Sequence, residues 1–208
     1  MKLNIIPFSK IDENNKKLTV VTKYFDKQVT ENILNQVQDM KLFYALGENR
    51  IDTIKQKELP RELISFIGNI QSRKISEIVK HCSSIQTVCS IKHLAKISDE
   101  VLKQGFDKIP VFIQVNISTD KISGIEISDF DEFYSKSKEF TGIEIVGISA
   151  IGAGVFEEDD KRSEFEKLIE VKNKYPELLI SAGTSRDYEI GLEYDIDIFR
   201  LGSILYEE

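Results

Sequence analysis

The chain has 208 residues, with 28 Lys and Arg against 35 Asp and Glu, for a formal net charge of −7. Hydrophobic residues make up 41% and charged residues 30%, the balance of a soluble globular protein long enough to bury a full core. The acidic surplus gives no support to nucleic-acid or anionic-membrane partners, and no apolar run approaches the roughly 18 residues that span a bilayer.

The first segment, Met1 to Lys10, carries a short apolar patch broken by Asn4 and Pro7. That is a poor secretory signal, so a cytoplasmic location is expected. From there the pattern alternates strand and helix. Strand-like runs fall at Leu18–Thr22, Leu42–Leu46, Leu63–Gly68, Ile85–Val88, Val111–Asn116, Glu144–Ile148, Leu178–Ser181 and Ile196–Leu201. Several are nearly continuous in Ile and Val, as parallel strands buried on both faces require. Helical spacing lies between them: Ile75, Ile78, Val79 and Cys82; Leu94, Ile97 and Val101; Phe130, Phe133 and Tyr134; Phe165, Leu168 and Ile169. Ser128 and Asp129 are candidate N-caps, and Gly105 is a candidate helix stop. The charge run Glu157 to Arg162 reads as the solvated start of a helix, where acids suit the dipole.

Eight strands with intervening helices and no linker predict an α/β fold, a single (β/α)8 TIM-type barrel. One domain is expected over 1–208, with the barrel core at about 17–206 and a short extension at 1–16. A misjudged strand would leave an open doubly wound sheet instead. Cys82 and Cys89 suit a reducing compartment. His81, Cys82, Cys89 and His93 fall within 13 residues but lack the tight pairs of zinc sites, so packing is expected of them and no metal.

Barrels of this kind work at the C-terminal ends of their strands. The expected ends deliver Thr22 and Lys23; Gly47, Glu48, Asn49 and Arg50; Gly68 and Asn69, with Gln71 and Lys74 beyond; Asn116 and Ser118; Ser149; Gly183, Thr184 and Ser185; and Arg200, Gly202 and Ser203. Lys23 ends an apolar strand, where a lysine is either solvated or an imine-forming nucleophile. Arg200 lies in a buried-looking run and needs a partner, either a ligand or an acid such as Glu48. The segments around Thr184–Ser185 and Gly202–Ser203 offer backbone N–H groups and small residues, the chemistry of a phosphate cradle at a helix N-terminus. A lysine, a cation and a phosphate cradle together point to an aldehyde phosphate.

These segments resemble the pyridoxal phosphate homeostasis proteins, barrels related to the alanine racemase N-terminal domain. The resemblance spans about residues 17–206. It rests on Val21-Thr22-Lys23, Leu46 to Arg50, Phe66 to Lys74, Val111 to Ser118, Ser181 to Asp187, and Arg200 to Ser203. It implies that Lys23 forms a Schiff base with pyridoxal phosphate and that Arg200 faces the pyridine nitrogen. It further implies that Ser185, Gly202 and Ser203 hold the phosphate and that Asn49 lies beside the cofactor. Thr184 belongs to the same cradle. The implied role is non-catalytic, in vitamin B6 and amino-acid homeostasis, with apoenzymes that need the cofactor as partners and a monomer or weak homodimer as the assembly.

The chain departs from the family pattern at Thr22 and Tyr24, at Asn69, at Ser149-Ala150, and in a leading segment short for a helix, which is expected to be strand or coil. Other readings are an amino-acid racemase or decarboxylase, a barrel enzyme handling a sugar phosphate through Lys23, and a scaffold that has lost its cofactor. A racemase of this type would take a second acid/base from a second domain, which is not expected with eight residues after Arg200, and position 27 is a lysine where racemases resembling this chain carry tyrosine.

Overall fold

The apolar runs become parallel strands that share hydrogen bonds on both edges, so none is left at a frayed sheet border. The computed structural model describes residues 2–118, 123–152 and 157–206. Helix α1 (Ile5–Glu13) precedes β1 (Lys17–Val21), and α2 (Lys27–Val37), β2 (Phe43–Glu48), α3 (Ile51–Lys57) and β3 (Ile64–Phe66) follow. Next come α4 (Ile75–His81), β4 (Ser84–Val88), α5 (Ile91–Lys103) and β5 (Ile109–Asn116). A two-residue strand β6 (Ile125–Glu126) leads into α6 (Phe130–Ser137), β7 (Ile143–Ser149), α7 (Glu158–Lys174), β8 (Leu179–Ser181), α8 (Tyr188–Gly191) and β9 (Ile198–Leu201).

Eight of these strands close a parallel barrel in the order β1-β2-β3-β4-β5-β7-β8-β9, with β9 back on β1. The small β6 is the one strand not anticipated; it adds to the end of β5 through Val115 and Asn116. The expected helix faces are buried, including Ile75, Ile78 and Val79 on α4 and Leu94, Ile97 and Val101 on α5. Gly105 ends α5 with a φ of +76°, the left-handed conformation that stops a helix. Asp129 takes the N-cap place before α6 but makes no side-chain cap bond, and Ser128 lies in a 3-10 turn ahead of it. Cys82 is buried at the end of α4 and Cys89 is exposed after β4. Among the described residues no helix is long and apolar enough to cross a membrane.

The leading segment is a helix, not the strand or coil expected. Asn4 and Pro7, which look like breakers, start it instead. The Asn4 side chain accepts the Ile6 N–H at 3.1 Å, and Pro7 sits in the first turn where its missing N–H costs nothing. Phe8 and Ile11 are buried against the barrel, and Leu3 bridges antiparallel to Tyr206.

The barrel interior is polar. Gln86 on β4 donates to Ser65 Oγ at 2.9 Å and to Thr19 Oγ1 at 3.4 Å, and it accepts from Ser181 Oγ at 2.7 Å. Ser149 Oγ donates to the Gln86 carbonyl, so this residue, expected at the end of its strand, belongs to the floor beneath the rim. All five side chains are fully buried, so each must find its partner within the barrel. Gln86→Leu would leave several buried hydroxyls short of a partner and is expected to lower the unfolding free energy by about 1–3 kcal/mol. Urea denaturation measures this, and an unchanged midpoint would show that the interior does not depend on the network.

Candidate functional site

The strands of a parallel barrel all point their carboxyl ends to one rim, and the polar residues that follow them line a cavity of about 440 Å³ there. Lys23 reaches it from the turn after β1, Asn49 from just past β2, and Gly68 and Asn69 from the segment after β3. Thr184 and Ser185 enter from the loop after β8, and Arg200, Gly202 and Ser203 from β9 and its end. All seven residues of the expected site meet in this one cavity. Glu48, Gln71, Lys74, Asn116, Ser118 and Ser149 do not line it. Lys74 pairs instead with Asp52 at 2.9 Å.

Register explains the convergence. Thr19 pairs with Arg200 across the β1–β9 seam, and side chains on a strand alternate faces. Thr19 points inward to Gln86, so Val21 follows on the inner side, as does Arg200, while Lys23 and Gly202 lie just past the ends of the two strands and line the same cavity. Arg200 is 5% exposed and donates to the Ala150 carbonyl. Burial lowers its pKa to about 10, a shift opposed by the negative charge of Asp187. The guanidinium therefore remains charged at neutral pH. Glu48 is not its partner: that carboxylate pairs with Lys57 on the outer side of the barrel wall at 2.5 Å. Among the described residues Arg200 forms no salt bridge, which leaves a buried cation with donors to spare beside the cavity.

The two rim segments touch at Ser185. Its hydroxyl oxygen lies 3.4 Å from both the Gly202 and the Ile204 N–H groups. Thr184 lines the cavity, but its N–H and hydroxyl both donate to Asp187 Oδ1, at 2.5 and 2.8 Å. The expected helix N-termini are single turns here, α8 and a 3-10 turn at Ser203–Leu205. An anion at this rim would thus meet individual N–H groups, hydroxyls and Arg200 rather than long helix dipoles. The charge run at the start of α7 is not merely solvated. Lys161 donates to the Arg186 carbonyl at 2.9 Å and Arg162 pairs with Glu193, tying α7 to the loop after β8 and to the segment that follows α8.

Lys23 Nζ sits 4.9 Å from the centre of the Tyr24 ring, and Tyr24 is 82% exposed at the mouth. Val21, Ile67, Ile151 and Arg186 complete the lining; all but Ile151 fall in segments that carry the resemblance, yet none was named as a site residue. Val21 was legible in principle, as the last residue of the strand that leads to Lys23. The buried Lys57 was also overlooked, although Ile51, Ile54 and Lys57 recur at three-residue spacing on the buried side of α3. Among the described residues no cluster of three His, Cys, Asp or Glu side chains is placed to hold a metal ion.

The wall at Asn49 depends on a glycine. A Cβ on Gly68 would lie 2.2 Å from the Asn49 carbonyl oxygen, a backbone atom that cannot swing aside. Gly68→Ala is expected to destabilise the fold by about 1–3 kcal/mol through overpacking and to shift the Asn49 loop. Thermal denaturation checks the first effect and a crystal structure of the variant the second; a wild-type melting point would contradict the first and an unmoved Asn49 loop the second.

Three comparisons bear on this geometry. The family described as alanine racemase, N-terminal domain, matches residues 5–208. A pyridoxal phosphate homeostasis protein of Aquifex aeolicus is 27% identical over 210 residues, covering 94% of this chain and 88% of its own. Among solved structures, PipY of Synechococcus elongatus with PLP bound superposes with a TM-score of 0.79 at 18% identity, over 96% of this chain and 99% of that one. An alanine racemase of Clostridium difficile superposes at 0.74 with 15% identity, over 97% of this chain and 54% of the racemase. The chain belongs to the alanine racemase N-terminal domain family.

Proposed function

We propose that this protein binds pyridoxal 5'-phosphate as a reversible Schiff base at Lys23 and serves intracellular vitamin B6 homeostasis without catalysing a reaction. The observation that carries this reading is the meeting of a lysine amine, a buried charged arginine and a hydroxyl-and-N–H rim in one cavity. The names of the curated relatives and the PLP-bound PipY structure support it. The donor set fits the ligand: an amine for an aldehyde, a fixed cation for a ring nitrogen, and neutral donors for a phosphate.

In this reading Lys23 would supply the neutral amine that condenses with the aldehyde, its two N–H protons and the carbonyl oxygen leaving as one water. Addition of one water reverses the step and returns free amine and aldehyde. Arg200 would donate to the pyridine nitrogen and, being charged at neutral pH, would leave it unprotonated. Pyridoxal phosphate stabilises carbanions chiefly when that nitrogen carries a proton, so Arg200 suits storage better than turnover. Ser185, Gly202 and Ser203 would hold the phosphate, Thr184 shapes that rim through its bonds to Asp187, and Asn49 would flank the ring. The openness of the Tyr24 side of the cavity fits release to apoenzymes that need the cofactor.

Lys23→Ala is expected to abolish the visible Schiff-base absorption of protein mixed with pyridoxal phosphate and to weaken binding on the order of tenfold or more. Noncovalent affinity for pyridoxine phosphate, which has no aldehyde, should remain. A Schiff-base band that survives the substitution would place the reactive amine elsewhere and contradict the assignment.

A further inference from the structure

Lys23 lies beyond the last residue of β1, where the ladder no longer fixes the backbone. Peptide groups there must find partners elsewhere. The Val21 carbonyl accepts the Tyr206 hydroxyl at 2.8 Å. The Thr22 carbonyl accepts Lys57 Nζ at 2.8 Å and the Phe25 N–H at 3.0 Å. Thr22 Oγ1 donates to Glu48 Oε1 at 2.6 Å, and Lys57 Nζ donates to the same oxygen at 2.5 Å. The two peptide carbonyls immediately before Lys23 are thus gripped by side chains from α3 and from the end of the chain.

The grip is made of buried charge. Glu48 and Lys57 are each 1% exposed, and neither lines the cavity. Taking both ions out of water is costly, and an apolar pair of similar volume would pack as well or better. Glu48 Oε2 is buried with no hydrogen-bond partner among the described residues, a further cost that packing alone does not explain. What the ion pair supplies, and an apolar pair would not, is a directed donor on the Thr22 carbonyl and a fixed acceptor for the Thr22 hydroxyl.

We infer that Glu48 and Lys57 are positioning residues for Lys23: the buried pair locks the turn at 22–25 so that the Lys23 amine is held over the cavity in a geometry that forms the Schiff base. This rests on the reading of Lys23 given above. The pair touches no ligand itself. Its loss should therefore weaken covalent capture and spare noncovalent binding at the phosphate rim.

The test compares two ligands on the double variant Glu48→Gln/Lys57→Met, which leaves no unpaired buried charge. Binding of pyridoxal phosphate is followed by Schiff-base absorption, and binding of pyridoxine phosphate by calorimetry. Covalent capture is expected to fall on the order of tenfold, since small misplacements of a reacting group cost that much or more, while pyridoxine phosphate affinity stays within about twofold. Thr22→Val, nearly isosteric, removes only the hydroxyl bond and gives the same split to a smaller degree should the double variant not fold. Unchanged capture in a folded variant overturns the inference, as does an equal loss for both ligands, which would mark the pair as general scaffolding. Wild-type protein that forms no Schiff base overturns the Lys23 reading and this inference together, whereas normal wild-type capture with an unaffected variant overturns the clamp alone.

Discussion

Pairing of the last strand with the first is the constraint on which the rest of the site depends. Thr19 opposite Arg200 fixes the register of the seam, and the two-residue alternation of a strand then decides what faces inward. Arg200 and Gly202 on one side, Val21 and Lys23 on the other, reach the same cavity because the strands are parallel and end at one rim. A one-residue slip at this seam would turn Arg200 outward into the helical layer and separate the cation from the lysine. Residues 177 positions apart in sequence (200 − 23) are therefore brought together by backbone hydrogen bonds, before any ligand is considered.

Below the rim, the barrel is plugged by hydrogen bonds as much as by hydrocarbon. Gln86 joins Thr19, Ser65 and Ser181 on three other strands, while β7 is tied in through Ser149. A satisfied polar plug is more directional than an apolar one and sets a definite floor under the cavity. Outside the wall, Glu48, Lys57 and Thr22 form a second buried polar group behind the Lys23 turn. The rim is thus held from within and from behind, while its mouth at Tyr24 stays open to solvent.

Much of this was legible in the sequence because parallel strands and amphipathic helices leave strong periodic signals. The eight barrel strands lie within a few residues of the runs of Ile and Val, and the seven expected site residues line one cavity. What was hidden depends on tertiary partners. Asn4 and Pro7 look like helix breakers until the segment docks, when they become a cap and a first-turn proline. Glu48 sits in a site-like motif, yet its side chain turns outward, and its partner is a lysine that composition alone would leave in water. Ser149 ends a strand as a site residue would, but its hydroxyl is claimed by Gln86. Thr184 sits at the cavity with its donors already used by Asp187, a distinction that spacing cannot convey.

The most direct measurement is borohydride reduction of the protein saturated with pyridoxal phosphate, followed by peptide mapping. Reduction fixes any C=N linkage as a stable secondary amine on the lysine that formed it. The label is expected on the peptide that contains Lys23 and on no other. A label on Lys57, Lys74 or another lysine, or no label on a folded protein, would contradict the assignment of this cavity.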